Sequence, residues 1–407
     1  MRHLGPGILL AGAAIGGSHL VASTQAGAHY GWSLLGILIL INLFKYPFFR
    51  YGQRYTAATG ETLLEGYRRL GTTYLVIFFL MNVITGLINI AGVAMLSGSL
   101  ATNFGFGHLG IPTISFVLLL ACALIIIIGG FNILLRVGRV VVAVLALSTL
   151  VAMVISVYNG PVAEAGFVGD SPWTDASFGF VIMFMGWMPA PIEGSVWPSV
   201  WMKSRERLQK KVSSMRETMI DFHAGYYTTV LMALVFMVLG RMVMYGTGVQ
   251  FSSEGPVFAR QLVDLYSESI GAWASPLIMI GAFTAMLSTT LTLVDAYPRV
   301  LSTSLTLMSE RLMPHLRWMH RAWVVISVVI STVIINYFAN QLGDMLSLAM
   351  ILSFLTAPLF ALLNYRVMLL GNVPEQYKPR VWEKLLSVSG IVFLIGFGLV
   401  FIYWRFF

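Results

Sequence analysis

Charged side chains are scarce in this sequence. Only 10% of its 407 residues are Asp, Glu, Lys or Arg, and only 17 of them are carboxylates. Soluble domains carry about a quarter of their residues as charged side chains, so this chain is too poor in charge to cover a water-exposed surface. A hydrophobic content of 57% also excludes a disordered chain, which would not stay solvated. The predicted class is therefore an all-α integral membrane protein.

Cysteine and the common catalytic motifs are nearly absent as well. The one cysteine, Cys122, lies in an apolar run, which excludes a disulfide framework and a cysteine metal cluster. The glycine strings lack a following Lys-Ser or Lys-Thr, and no Ser-His-Asp arrangement or metalloprotease spacing occurs. We therefore expect a carrier and not an enzyme, with no cofactor. The apolar N-terminal run has no convincing cleavage site and is predicted to be the first span, not a signal peptide.

Long apolar runs dominate what is present. A helix needs about 20 apolar residues to cross a bilayer, and the chain offers such segments repeatedly. We predict a single polytopic transmembrane domain over residues 1–407 in the cell membrane, with eleven spans. The predicted spans are 4–31, 33–49, 72–102, 109–130, 134–158, 178–201, 219–246, 274–298, 322–339, 344–364 and 385–405.

The basic residues are distributed unevenly over the loops between these spans. Loops on the same side as the N-terminus hold most of the Lys and Arg, most densely between Lys203 and Arg216, whereas the opposite loops are mainly acidic. Because basic loops face the cytoplasm, we expect a cytoplasmic N-terminus and an outside C-terminus. This topology accounts for the net charge of +8 without a nucleic acid. The expected partners are the lipid bilayer and a small ion substrate, and the oligomeric state stays open.

Two predicted spans are interrupted at corresponding places. Span one contains Gly16-Gly17-Ser18-His19 and span six contains Met188-Pro189-Ala190-Pro191, and both sequences weaken a helix. The spans are five apart, which predicts two inverted repeats over about 1–158 and 178–364, followed by an extra helix over about 385–405. Paired broken helices indicate a substrate site at the bilayer midplane. The alternative is two ordinary kinked helices.

The first span resembles that of the Nramp family of metal-ion transporters. Further matches lie in the second span, in the loop after it and in the sixth span. The matching residues are Gly5-Pro6-Gly7, Gln25-Ala26-Gly27-Ala28, Gly31, Ser33-Leu34-Leu35, Asn42-Leu43, Thr59-Gly60 and Met188-Pro189. The resemblance implies a LeuT-like fold, eleven helices with helices 1 and 6 broken, and secondary transport by alternating access.

The sequence departs from the family at the metal site that the resemblance implies. The family's Asp-Pro-Gly-Asn motif falls on residues 16–19, so Gly16 replaces the metal-ligating Asp and His19 replaces the Asn. Met188 is retained, but Ala190 replaces the His of the family's Met-Pro-His sequence. The third span contains no carboxylate. Because divalent ions favour carboxylate oxygens, no metal site is expected here.

Backbone N–H groups at the start of a half-helix attract anions. With Ser18 and His19 as added donors, this site is predicted to bind a small inorganic anion such as bicarbonate. The alternatives are a divalent metal cation (Mn, Fe or Mg), as in the parent family, and a non-transporting membrane receptor or scaffold. The predicted substrate-binding residues are Gly16, Gly17, Ser18, His19, Met188, Pro189 and Ala190.

Four polar residues inside spans are candidates for coupling. Lys45 could neutralise an anion in transit, although snorkelling toward the cytoplasm is the favoured interpretation. Glu193 is either a coupling carboxylate or a stabiliser of its own half-helix. Ser288 and Thr289 belong to a hydroxyl patch that, in the implied fold, faces the break of span one and suggests sodium coupling, with back-bonding as the alternative. The coupling ion is therefore sodium or a proton, if there is one.

Overall fold

The computed structural model consists of helices and connecting loops over the residues that it describes, 5–210 and 212–406. Side chains at 129–142, 145, 209, 266, 268–270, 274 and 277 lie outside that description. The α-helices are α1 Pro6–Ala14, α2 Thr24–Tyr30, α3 Leu35–Thr59, α4 Leu63–Leu70, α5 Thr72–Ala101, α6 Ile111–Asn159, α7 Asp175–Trp187, α8 Val196–Gln209, α9 Met215–Val243, α10 Gly255–Ile270, α11 Ser275–Met308, α12 Leu316–Tyr337, α13 Leu342–Val367 and α14 Val381–Phe406.

The prediction of an all-helical, multi-pass membrane protein is confirmed. Within the described residues, eight helices are long and apolar enough to cross a bilayer, or nine if the bent pair in Pro6–Tyr30 is one span. Helix α3, which contains the predicted second span, is not among the eight, because Asn42, Lys45 and Arg50 lower its mean hydropathy. The count of eleven spans, the orientation of the termini and the two inverted repeats stay predictions.

Three helical regions differ from the predicted boundaries. Helix α6 is continuous from Ile111 to Asn159, and the predicted boundary between spans four and five falls at positions whose side chains lie outside the described residues. Helices α4 and α10 occupy stretches that were predicted as loops. Both helices are too short and too polar to cross a bilayer. Helix α4 begins with a capping box in which Thr62 and Glu65 bond to each other's backbone N–H groups.

Both predicted interruptions are present. In span one, α1 ends at Ala14, a π-helical turn follows over Ser18–Ser23, and the two parts of the span meet at an angle of 45°. In span six, α7 ends at Trp187, and a 3-10 turn over Ile192–Ser195 leads into α8. Gly and Pro therefore interrupt the helices here and do not merely kink them.

Span one packs against α9 by close backbone approach at both of its ends. A Cβ atom at Gly7 would overlap the backbone of Asp221, and one at Gly225 would overlap the backbone of Gly7. Toward the other end, a Cβ at Gly240 would overlap the Thr24 carbonyl oxygen. Small residues permit such crossings between membrane helices, where van der Waals contact provides much of the attraction.

The start of α1 is also tied to α9 by a carboxylate. Asp221 accepts hydrogen bonds from the backbone N–H of Gly5 at 2.7 Å and of Gly7 at 2.6 Å. These N–H groups are among those that a helix N-terminus leaves unpaired, and a negative charge is favourable at that end. The first half of span one is therefore fixed to α9 before the break begins.

We predict that Gly240→Ala destabilises the protein, because its new methyl group would press on the backbone of α2. Overpacking of this kind costs about 1–3 kcal/mol. The measurement is thermal unfolding in detergent. Gly36→Ala, in α3, is the matched control, since a Cβ there meets nothing within 4 Å. Equal melting temperatures for the two variants would contradict the close crossing.

Candidate functional site

The two breaks face each other and also face α11. A Cβ at Gly17 would lie 2.7 Å from Cζ3 of Trp187, at the end of α7. A Cβ at Gly16 would overlap Oγ1 of Thr289, on α11. The absence of side chains at these two glycines therefore lets span one approach span six on one side and α11 on the other. Pro189 and Pro191 cannot donate backbone hydrogen bonds, which keeps the segment after Trp187 out of the helix.

A cavity of about 30 Å³ lies between the breaks. This space is enough for about one to three water molecules. Most of its walls are apolar, with a few hydroxyl and amide groups among them. The lining residues are Ala13, Ala14, Gly17, Ser18, Asn89, Val93, Trp187, Ala190, Pro191, Trp197, Thr289, Leu293 and Tyr297.

The predicted substrate-binding residues divide into two groups. Gly17, Ser18 and Ala190 line this cavity, and Gly16 contacts the wall formed by Thr289. Met188, Pro189 and His19 are buried but are not part of the lining. The structure thus brings the two interrupted segments together, as predicted, but not every side chain that was assigned to the substrate.

His19 points away from the cavity and toward α9. Its Nε2 lies 2.8 Å from the Thr229 carbonyl oxygen, and its Nδ1 lies 2.7 Å from the Ser18 hydroxyl oxygen and 2.9 Å from the Ala14 carbonyl oxygen. Both ring nitrogens therefore lie against oxygen atoms of span one or α9, and the Ser18 hydroxyl itself donates to the Ala14 carbonyl oxygen. The geometry therefore gives no support to His19 as a donor into the cavity.

Lys45 reaches the break of span six. Its side chain is fully buried, and Nζ donates to the carbonyl oxygens of Met185 at 2.7 Å, Gly186 at 2.9 Å and Ala190 at 3.3 Å. The favoured expectation that Lys45 snorkels to the cytoplasm is wrong. The carbonyl groups at the end of α7 have no helical N–H partner, and they offer the ammonium closer acceptors than the membrane interface does.

Glu193 is a second fully buried charged group next to the cavity. Its Oε1 accepts from Asn89 Nδ2 at 3.4 Å and from the Tyr297 hydroxyl at 3.3 Å. Its Oε2 has no hydrogen-bond partner among the described residues. The carboxylate also lies close enough to Lys45 for electrostatic attraction. Its candidate role in coupling stays a prediction.

Asn89, on α5, is the centre of a hydrogen-bond network that sequence reasoning missed. Its Nδ2 donates to the Tyr297 hydroxyl at 2.9 Å and to Ser353 at 3.3 Å, and its Oδ1 accepts from Trp187 Nε1 at 3.0 Å. The network joins spans three, six, eight and ten around the cavity. Two amides in a long apolar run, Asn82 and Asn89, were the available signal, but the prediction considered only the carboxylates that the run lacks.

The hydroxyl patch on α11 is only partly directed at span one. Thr289 Oγ1 donates to Gly12 O at 3.3 Å and to Ala285 O at 3.1 Å. Thr290 and Thr284 bond back to their own helix, and Ser288 is buried. Nearer the end of the predicted span, Asp295 and Arg299 form a local ion pair, with Arg299 Nε donating to Oδ2 at 2.9 Å.

Residues 7–404 match the family model for natural resistance-associated macrophage protein-like proteins, Nramp. The chain belongs to the Nramp family. It is 41% identical over 404 residues to an uncharacterized protein of Pasteurella multocida, covering 98% of this chain and 91% of that one. The family assignment makes this chain a secondary transporter and not an enzyme.

Solved structures place the family member among LeuT-fold transporters. A mutant of the manganese transporter of Eremococcus coleocola matches with a TM-score of 0.68 at 16% identity, covering 97% of this chain and 85% of that chain. Mhp1, a nucleobase-cation-symport-1 family transporter, matches at 0.62 and 16% identity over 99% and 92%. MhsT in complex with L-phenylalanine matches at 0.63 and 15% identity over 98% of both chains. The predicted LeuT-like fold is confirmed.

We predict that Asn89→Ala destabilises the protein, because it leaves the buried Trp187 indole N–H without its acceptor and removes one donor each from Tyr297 and Glu193. A buried polar group that loses its partner costs about 1–3 kcal/mol. Thermal unfolding in detergent measures the effect. The matched control is Asn336→Ala, whose exposed amide bonds only to Thr332 O of its own helix. A melting temperature unchanged by Asn89→Ala would show that the network does not hold these spans together.

Proposed function

We propose that this Nramp-family transporter carries one small inorganic ion through the cavity between the two breaks. The cavity volume of about 30 Å³ supports this proposal, because it is enough for a small ion with at most a few water molecules. An amino acid or a nucleobase is several times larger. The chain shares its fold with Mhp1 and MhsT, but the size of the cavity between the breaks favours a cargo smaller than an amino acid or a nucleobase.

A divalent metal cation is the cargo that the comparisons support. The family and the manganese transporter of Eremococcus coleocola both point to it. The side-chain oxygen atoms near the cavity are those of Ser18, Asn89, Thr289, Tyr297 and Glu193, and backbone carbonyls add to them. Among the described residues, however, no three His, Cys, Asp or Glu side chains come together to hold a metal. Metal binding here would rely on neutral oxygen ligands and one carboxylate.

A small anion is the second candidate, and it rests on the residues alone. Gly16 provides no carboxylate to the cavity, and the Lys45 ammonium lies at the cavity wall beside Ala190. Both features reduce the cost of bringing a negative charge to the break. The relatives give no support to bicarbonate as the anion. Ser18 is engaged with Ala14 and His19, which leaves backbone N–H groups as the principal donors.

We predict that purified protein in liposomes moves one of these two classes of ion, and that Gly17→Val reduces the flux at least about tenfold. The valine would collide with Trp187 and fill the cavity. The measurement compares Mn²⁺ uptake with bicarbonate exchange. Gly36→Val is the control, since its side chain would enter open space. Flux of neither ion by the wild type would contradict the proposal, and equal flux in both variants would place the pathway elsewhere.

A second prediction concerns the position where the family has its metal-ligating Asp. Gly16→Asp combined with Thr289→Ala is expected to bind Mn²⁺ at least about tenfold more tightly than the wild type, because it adds a carboxylate beside the cavity. Gly16→Asp alone gains less, since Thr289 occupies the space that the new side chain needs. Isothermal titration calorimetry measures the affinity, with Thr289→Ala as control. No gain in the double variant would mean that residue 16 does not face the cargo.

A further inference from the structure

The broken end of α7 presents a cluster of carbonyl oxygens to one buried lysine. Met185 and Gly186 are in the last turn of α7, and Ala190 lies across the break. All three of their carbonyl oxygens accept hydrogen bonds from Lys45 Nζ, at 2.7, 2.9 and 3.3 Å. An ammonium group carries three N–H donors, so the three acceptors use its full capacity.

This cluster has the properties of a cation site. The C-terminal end of a helix carries partial negative charge, and carbonyls freed by a helix interruption can coordinate a monovalent cation at the bilayer midplane. Here the ligands are backbone oxygens with no competing helical donors. The position that a free cation would take is filled by the end of a side chain from α3.

Burial shows that Lys45 serves this site and no other. Its whole side chain is inaccessible to solvent, although Arg50, about one turn further along α3, reaches partial exposure. A lysine that snorkelled to the membrane interface would point toward Arg50 and the cytoplasm. A charge inside the membrane is expensive unless it is paired, and the carbonyls and the nearby Glu193 carboxylate pair this one.

We propose that the Lys45 ammonium is the resident cation of the span-six break, occupying a carbonyl site that accepts a free primary ammonium ion when the lysine is removed. The break is thereby held in shape by a tethered charge, and this part of the transport cycle needs no separately bound monovalent cation. The inference deepens the proposed function, and only its flux measurement rests on that function.

The truncation Lys45→Ala tests the proposal because it removes a defined fragment. The alanine keeps Cβ, and the missing atoms correspond to n-propylammonium, which carries the same three carbons and the same charged head. We expect the variant to melt about 5 °C or more below the wild type in detergent. n-Propylammonium in the millimolar range is expected to restore about half of that loss or more, saturably, because it binds the folded state.

Two controls separate occupation of the site from general effects of salt and charge. Tetramethylammonium has the same charge but no N–H group, so it is expected to give no recovery in Lys45→Ala. Lys203→Ala makes the same substitution at a lysine that pairs with Glu206 and is partly exposed. It is expected to show no response to n-propylammonium, and the wild type none either.

A second variant, Lys45→Met, keeps an unbranched side chain as far as Cε and lacks only the charged Nζ position. Ammonium chloride, but not choline chloride, is expected to raise its melting temperature saturably. If n-propylammonium restores the melting temperature of Lys45→Ala and tetramethylammonium does not, that outcome supports the proposal. Equal instability of both variants in every salt would overturn it and leave Lys45 as an ordinary buried packing residue.

Flux distinguishes failure of this inference from failure of the proposed function. In liposomes, the flux of Lys45→Ala is expected to be at least about tenfold lower than that of the wild type, and n-propylammonium is expected to restore part of it. A wild type that moves neither ion would contradict the proposed function while the melting result still stands. A wild type that transports, combined with a Lys45→Ala variant that no ammonium ion rescues, would contradict the resident-cation proposal alone.

Discussion

The central constraint in this structure is that two helices stop inside the membrane and free their backbone groups where no bulk water can satisfy them. Such breaks are tolerated only when protein groups or a cavity meet the freed N–H and carbonyl groups. At the first break, Ser18 and His19 lie against the carbonyl of Ala14. At the second, Lys45 binds the carbonyls that end α7. Ser18, His19 and Lys45, which were candidates for substrate binding or coupling, thus contact the backbone carbonyls at the broken helix ends.

The features that the sequence predicts well are those that depend on local chemistry. The Gly16-Gly17 pair and the closely spaced Pro189 and Pro191 weaken a helix locally, so both breaks were predictable without knowing what packs against them, whereas single prolines such as Pro47 and Pro358 lie inside continuous helices. The Asp295–Arg299 pair needs only helical spacing, i to i+4, and the structure contains it. The long apolar runs likewise define an all-helical membrane protein, because the bilayer sets the length of a span.

The features that the sequence does not predict depend on the direction of a side chain or on contacts between distant segments. Lys45 is one turn from Arg50 along the sequence, and its choice between the interface and the core depends on the carbonyls of α7, about 140 positions away. The direction of the His19 side chain likewise depends on a group that is distant in the sequence, the Thr229 carbonyl oxygen. Asn89 was overlooked because an amide carries no charge, yet it joins four spans. Helices α4 and α10 were missed because a search for apolar runs ignores short amphipathic helices.

Charge balance at the breaks determines how this member of the family can treat its cargo. LeuT-fold relatives as different as a manganese transporter and a transporter bound to L-phenylalanine share the helices, so the cargo is set by the groups at the breaks and not by the fold. Here the buried charges are Lys45 and Glu193, which are of opposite sign and attract each other. Neither is part of the cavity lining, which contains no charged side chain among the described residues, so an ion there meets mainly backbone dipoles, the Asn89 amide and hydroxyl groups. A dehydrated divalent ion loses far more hydration energy than a monovalent one, because the cost grows with the square of the charge. A divalent cation in this cavity would therefore need a carboxylate beside the neutral lining, and Glu193, whose Oε2 has no hydrogen-bond partner among the described residues, is the carboxylate that contacts the lining through Asn89 and Tyr297.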